Sequence, residues 1–288
     1  MALIKISTDS TSDIPVNLKE ELNIEVVPLM IIHGDKEYRD GIDLTTRQFY
    51  EILETSDIMP GSSCVPLVYY TNLYEKVYAD GYTDLIHTTI NSKGSSTYQG
   101  ANMMRDQFYE DHPEAKEKFN IHIIDSTTYS VGYGWAVIEA ARMVKDGKSV
   151  EDIIAYINDW IAHVRPVMLP MNLKFVKKSG RISAAAAFVG DALGLKPVIT
   201  FEDGASKVIS KIRGEKRAVK EFVDLIESER EVGTPYMLVS GNNDEQFLKF
   251  KEECALRFER EPEFVYDVGN IISINTGPNM IGIIYRMK

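Results

Sequence analysis

Leu3-Ile4-Lys5-Ile6-Ser7-Thr8-Asp9-Ser10-Thr11 and, much further along the chain, Ile123-Ile124-Asp125-Ser126-Thr127-Thr128 share one pattern: an apolar run that stops at Asp-Ser-Thr. Short runs of β-branched residues read as strands, and a polar Asp-Ser-Thr is where a parallel strand hands over to a loop. Working outward, a helix follows Pro15 over VNLKEEL, and the next strand, Ile24–Ile32, contains Pro28, which marks it as an edge or interrupted strand. Thr45 is the N-cap expected for TRQFYEILE. Helices are expected over 67–79, 97–110 and 132–146, with strands at Asp84–Thr89 and Ile121–Ile124. Strands alternating with amphipathic segments predict a parallel sheet with crossover helices, an α/β fold. Ligands of open α/β sheets bind outside the carboxyl ends of strands, which puts Asp9, Ser10, Asp125 and Ser126 where they can face one crevice. Taken singly, each Asp-Ser-Thr fits ordinary Asx-turn and capping chemistry equally well.

Past the helical stretch SVEDIIAYINDWIAHV the texture changes. Strands are expected at Val167–Pro170, Lys196–Phe201, Ser206–Ile212, Tyr236–Ser240, Ile271–Ile274 and Gly282–Tyr285, with helices near 215–230 and 244–259. That order predicts a mixed sheet covered by helices on one side. The boundary is placed at Val164-Arg165-Pro166, giving domains 1–164 and 165–288.

A chain of 288 residues, 44% hydrophobic and 26% charged, can bury a sizeable core and is not a disordered, collagenous or disulfide-stapled one. No apolar run approaches the roughly 20 residues of a membrane span, and MALIKISTDS turns polar too early for a secretory signal. Cys64 and Cys254 lie far apart without a CxxC, consistent with a reducing compartment, so a cytoplasmic location is expected. The net charge of −11 opposes binding to nucleic acid or anionic membranes. Against that background, Lys174–Arg217 carries ten Lys/Arg and four acids, a +6 stretch that reads either as a solvated face or as one turned toward an anion or partner.

The usual catalytic signatures are missing. There is no GxxxxGK[ST] and no GxSxG, Gly132-Tyr133-Gly134 lacks the third glycine of a dinucleotide loop, and His33, His87, His112, His122 and His163 show no metal-ligand spacing. Neither a metal nor an organic cofactor is expected. Hydroxyls cluster instead in Gly61-Ser62-Ser63-Cys64 and in Thr88-Thr89-Ile90-Asn91-Ser92-Lys93-Gly94-Ser95-Ser96-Thr97, the second between a strand and the helix TYQGANMMRDQF. Hydroxyl donors beside a helix N-terminus can hold a carboxylate or phosphate, and they can equally cap the helix. Lys174–Arg181 reads as a basic turn leading into a helix of small residues from Ala184 to Leu195, suited either to close packing or to the wall of an apolar tunnel.

In their order, these segments resemble the DegV family, which includes the fatty-acid-binding subunits of bacterial fatty-acid kinase. Thr8-Asp9-Ser10-Thr11-Ser12-Asp13-Ile14-Pro15 matches its TDSTxDxP opening, Gly61-Ser62-Ser63-Cys64-Val65 stands at its TSQP, and Ser92-Lys93-Gly94-Ser95-Ser96-Thr97-Tyr98-Gln99 at its SxLSGTYQ. Ile124-Asp125-Ser126, Lys177-Lys178-Ser179-Gly180-Arg181-Ile182, Leu195-Lys196-Pro197 and Thr276-Gly277-Pro278 follow in family order. The resemblance implies an N-terminal three-layer α/β/α domain with a parallel sheet, a C-terminal two-layer domain with a mixed sheet, and a long-chain fatty acid in a tunnel between them. It also implies a carrier rather than an enzyme, presenting the carboxylate to a separate kinase that forms an acyl-phosphate.

By position, the family's carboxylate-binding hydroxyls fall on Ser62 and Ser95, and Asn275 stands before Thr-Gly-Pro, where kinase-linked members often carry His. Ser63, Ser96, Thr97, Asp9, Ser10, Asp125 and Ser126 are the polar residues expected nearby, and Arg181 and Arg213 are assigned to the tunnel mouth or partner docking. Asn keeps a donor for a carboxylate, so binding survives the replacement more readily than a part in phosphoryl transfer. Two other readings stay open: a carrier of another lipid or carboxylate without a kinase, and an acyl hydrolase with Ser95 or Cys64 as nucleophile, which would need a base that no His pattern supplies.

Overall fold

A computed structural model describes residues 2–183, 194–242 and 244–288, so positions 184–193 of the helix of small residues expected from Ala184 to Leu195 lie outside the described residues, and Leu195 itself begins a strand. The chain divides into two units, Met1–Leu44 with Gly61–Ala162, and Thr45–Pro60 with His163–Lys288.

The first unit is built on β1 (Ile4–Asp9), wholly buried, which runs into a 3₁₀ turn at Ser10–Ser12 and then α1 (Val16–Glu21). Pro28 divides the expected strand Ile24–Ile32 into β2 (Glu25–Val27) and β3 (Met30–His33). Lacking an N–H, proline cannot donate to a ladder. β2 stays on the edge of the parallel sheet, with Ser7 opposite Glu25, while β3 pairs antiparallel with β4 (Lys36–Arg39) and β5 (Gly61–Ser63). Between β4 and β5 lies α2 (Thr46–Thr55), which belongs to the second unit. After β5 come α3 (Leu67–Ala79), β6 (Asp84–Thr89), α4 (Thr97–Asp111), β7 (Asn120–Asp125), α5 (Val131–Lys145) and α6 (Val150–His163).

β2, β1, β6 and β7 form an all-parallel sheet in that order. The chain steps from β1 to β2 on one side, then returns past β1 to β6 and β7. Right-handed crossovers in opposite directions put their helices on opposite faces, which gives the three layers. α3 and α4 pack on each other, α4 on β7 and α5 on β1. Nearly all of α5 from Val131 to Ala141 is buried, as expected of a helix apolar on every side.

The second unit has a six-stranded sheet in the order β10-β9-β8-β13-β11-β12. Its strands are β8 (Val164–Pro170), β9 (Leu195–Glu202), β10 (Ala205–Arg213), β11 (Tyr236–Ser240), β12 (Val265–Asp267) and β13 (Met280–Arg286). All neighbours are antiparallel except β11 with β12, so the sheet is mixed. A turn of helix, α7 (Lys174–Lys178), occupies what the sequence suggests is a basic turn, its first N–H held by Asn172 Oδ1 at 2.9 Å. α8 (Glu215–Glu229) and α9 (Asp244–Arg257) pack on each other and cover one face, closing a core of Val198, Ile212, Phe222, Ile226, Leu238, Phe250, Ile281 and Ile283. The fold is therefore the α/β class with a parallel and a mixed sheet that the strand pattern predicts.

One expected strand is a helix. Ile271–Ile274 lies in α10 (Asn270–Thr276), seven residues between Gly269 and Gly277. A short β-branched run is ambiguous by composition, and here the flanking glycines decide. Gly277 sits at φ 77° with Phe175 so close that an added Cβ would lie 2.5 Å from its ring, so the chain leaves the helix there in a conformation only glycine tolerates.

Candidate functional site

Between β1 and β6 the strand order reverses, and there the loops leaving the two strands diverge to opposite faces. β1 ends at Asp9, β6 at Thr89 and β7 at Asp125, with Thr89 opposite Asp125 in the register. Both Asp-Ser-Thr ends therefore flank the loop that follows β6, the one carrying Ser92 to Thr97.

Asp9 is fully buried and accepts four hydrogen bonds from three segments. Its Oδ1 takes the Thr11 N–H at 3.1 Å, the Thr11 hydroxyl and the Tyr133 hydroxyl at 2.6 Å, while Oδ2 takes Ile90 N–H at 2.7 Å. Burial raises its pKa above the ordinary carboxylate range, and the hydrogen bonds from Thr11, Tyr133 and Ile90 oppose that rise. Asp125 works from the other side: its Oδ1 accepts the N–H groups of Ser92 and Thr127, both at 3.0 Å. Ser10 accepts Leu29 N–H at 3.0 Å, which ties the end of β1 to the link between β2 and β3, while Ser126 Oγ donates to Thr128 O at 3.1 Å within its own turn.

The loop these carboxylates hold is closely tied. Asn91 N donates to Thr128 O at 3.2 Å, its Nδ2 to Tyr129 Oη at 2.8 Å, and its carbonyl accepts Gly94 N (3.0 Å) and Ser95 N (3.2 Å). Half-buried Ser95 places its hydroxyl 2.8 Å from that of Thr97 and accepts Thr97 N–H at 3.3 Å. It thus stands at the start of the 15-residue α4, beside N–H groups that no helical carbonyl satisfies. Ser96 is exposed and Thr97 buried.

Backbone strain gathers at the same end of the sheet. Asp13 (φ 51°), Thr127 (φ 50°) and Ser130 (φ 56°) are left-handed without being glycine, and Ser130 Oγ donates to Asp13 Oδ2 at 2.5 Å. α5 comes so near the Ser10–Ser12 turn that a Cβ on Gly134 would lie 2.2 Å from Ser12 O. Gly132 and Gly134, which fail as a dinucleotide loop, thus flank the residue that reaches Asp9, Tyr133.

Ser62 lies on β5 opposite Ile31, half-buried, with no hydrogen bond from its hydroxyl to the described residues. Ser63 is exposed and Cys64 is a half-buried free thiol. His87 is fully buried beneath the site: Nδ1 meets Ser7 Oγ at 2.7 Å, Tyr70 packs edge-on against the ring, and burial lowers its pKa to about 3, so it stays neutral. The hydroxyl of Ser95 thus contacts Thr97 rather than an imidazole. Among the described residues no group of three or more His, Cys, Asp or Glu could hold a metal ion, and no helix is long and apolar enough to cross a membrane.

In the second unit, Asn275 is half-buried on α10; its Oδ1 accepts the Ser179 hydroxyl at 2.9 Å, and one Nδ2 hydrogen goes to Ile271 O at 3.2 Å. Ser179 Oγ also accepts the N–H groups of Arg181 (3.1 Å) and Ile182 (3.2 Å), so the Lys-Lys-Ser-Gly-Arg and Asn-Thr-Gly-Pro segments meet through one hydroxyl. Arg181 and Arg213 are exposed. Two cations of the +6 stretch are paired with acids, Lys207 with Glu202 at 2.6 Å inside it and Arg217 with Glu221 at 2.8 Å just beyond it.

Asn91, Tyr129 and Tyr133 are structural members of the loop network that the motifs do not single out. The ties of Asn91 to Tyr129 and of Tyr133 to Asp9 join residues far apart in sequence, so spacing carries no trace of them; the signal that remains is the pair of small residues around Tyr133.

Known proteins resemble this chain along its whole length. The DegV family model matches residues 3–288. A DegV domain-containing protein of Caldanaerobacter subterraneus subsp. tengcongensis is 34% identical over 296 residues, covering 100% of each chain. Among solved structures, a DegV family protein of Thermus thermophilus, described as binding fatty acid, is 25% identical, covers 99% of each chain and superposes with a TM-score of 0.85. DegV of Bacillus subtilis, described as a fatty acid binding protein, is 26% identical, covers 100% of each chain and has a TM-score of 0.83.

Proposed function

The chain belongs to the DegV family, and from that premise we propose that it is a carrier that binds one long-chain fatty acid and presents its carboxylate. The observation that carries this reading is the likeness, along the whole chain, to two proteins described as fatty-acid binders at 25% and 26% identity. In this proposal the hydrocarbon runs in a tunnel between the two domains, and Ser62, Ser95 and Asn275 receive the head group.

The energetics suit a carrier. At about 0.8 kcal/mol per buried CH₂, a chain of roughly 15 methylenes offers on the order of 12 kcal/mol before the costs of association. Neutral hydroxyl and amide donors are then enough for the head group, and they leave a carboxylate oxygen free to attack a phosphoryl donor. Presentation to a separate kinase is the further step proposed, with exposed Arg181 and Arg213 as the docking cations.

Competition binding tests the reading. Palmitic acid should bind tightly, 1-hexadecanol more weakly, and a carboxylate of a few carbons not measurably. Equal binding of acid and alcohol would remove the head-group site, and turnover of acyl esters would replace the carrier by a hydrolase.

A further inference from the structure

We propose that Asp125, together with Asp9, is a positioning residue for the bound head group: the two carboxylates set the Ser95 loop from opposite sides and never touch the ligand. This rests on the carrier reading above. Asp9 ends β1 and Asp125 ends β7, the two strands on either side of β6, which carries the loop. They take alternate N–H groups of its first residues, Ile90 at 2.7 Å and Ser92 at 3.0 Å. Held from both sides, the peptide planes at the loop's start cannot turn. Asn91, caught between the two, in turn fixes Ser95 N–H at 3.2 Å.

Electrostatics explains why these acids act through the backbone. A free carboxylate facing a fatty-acid head group would repel it. Here Asp9 is fully buried with both oxygens engaged by donors, and the Oδ1 of Asp125 holds Ser92 and Thr127, the latter left-handed at φ 50°. Asp9 directs its charge to the Thr11, Tyr133 and Ile90 donors, and half-buried Asp125 turns its Oδ1 to two N–H groups, one of them at the start of the loop that presents hydroxyls. The sequence echo of Asp-Ser-Thr is thus a matched pair of anchors, one per flanking strand.

The test uses the full chain stripped of lipid, with palmitic acid and 1-hexadecanol as probes in the same competition assay. Asp125→Ala should lower the acid-to-alcohol affinity ratio by about tenfold, the effect of losing a well-placed donor to a charged group. Asp125→Asn keeps the Oδ1 acceptor and should restore the wild-type ratio. In a Ser95→Ala background, Asp125→Ala should change the ratio by less than about twofold, because the two residues act through one loop. An unchanged ratio in Asp125→Ala, or equal weakening of acid and alcohol, overturns the assignment and leaves Asp125 a purely structural residue. A wild type that shows no preference for the acid overturns the head-group reading itself. Independently of any variant, the Ile90 and Ser92 amides should be protected from hydrogen exchange with or without palmitic acid, and rapid exchange at Ser92 would contradict the anchor.

Discussion

Ser95 and Gly134 carry the most local consequences. On the carrier reading, Ser95→Ala removes one hydrogen bond to a charged group, roughly 1.5–3 kcal/mol, or on the order of ten- to a hundredfold in fatty-acid affinity. The matching alcohol should lose much less, and the two titrations side by side check it. Gly134→Ala drives a methyl against Ser12 O, a backbone atom that cannot swing away, and should cost about 1–3 kcal/mol of stability. Gly180→Ala, whose Cβ would meet nothing within 4 Å, should be close to neutral in the same denaturant titration. Both Asp-Ser-Thr ends and the Ser92–Thr97 loop were legible because each is a contiguous stretch with its own turn chemistry. Tyr133 was not, since its tie to Asp9 joins residues on distant segments.

At the scale of elements, local signals succeeded where they were strong. Thr45 caps α2 as its sequence announces, with a reciprocal box in which Gln48 Oε1 accepts Thr45 N–H at 3.0 Å. Which unit α2 joins is not written there. It is set by Tyr50 Oη donating to Val268 O at 2.6 Å and Asn242 donating to Glu54, contacts that composition cannot reveal. Ile271–Ile274 misleads for the opposite reason: its β-branched residues suit a strand, and the glycines on either side make it a helix. Elements also meet at Arg230, buried after α8, which donates to Glu259 at 2.8 and 2.9 Å while Gly233 N–H donates at 2.6 Å. These partners hold the Glu259 carboxyl at about 2. A lowered carboxyl stabilises the fold above its ordinary value of 4.5 and loses that contribution as pH falls toward about 2. Glu259→Gln should therefore flatten the stability curve between those pH values, measured as denaturant midpoint against pH. Asp9 has the opposite sign: with its pKa raised by burial, its contribution is full below the ordinary carboxylate range and lost as pH rises through the raised value. It is common to both proteins and drops out of the difference. Parallel curves for variant and wild type would mean that the Arg230–Glu259 pair is not coupled to folding.

For the whole molecule, the order of the motifs revealed more than any one of them. Thr8–Pro15, Gly61–Val65, Ser92–Gln99, Lys177–Ile182 and Thr276–Pro278 each allow a bland reading; their order along one chain resembles the DegV family, whose model matches residues 3–288. The segment 45–60 shows how a chain can look continuous in texture and still contribute to two units. The central claim is that this protein holds a long-chain fatty acid, and the apolar chain's share of the binding energy makes retention through purification the natural outcome. The most direct measurement is the mass of the organic molecules released by solvent from the purified, unsupplemented protein. A long-chain fatty acid at close to one per chain is the result this account predicts; an extract without stoichiometric fatty acid, from a protein that also shows no thermal shift when palmitic acid is added, would contradict it.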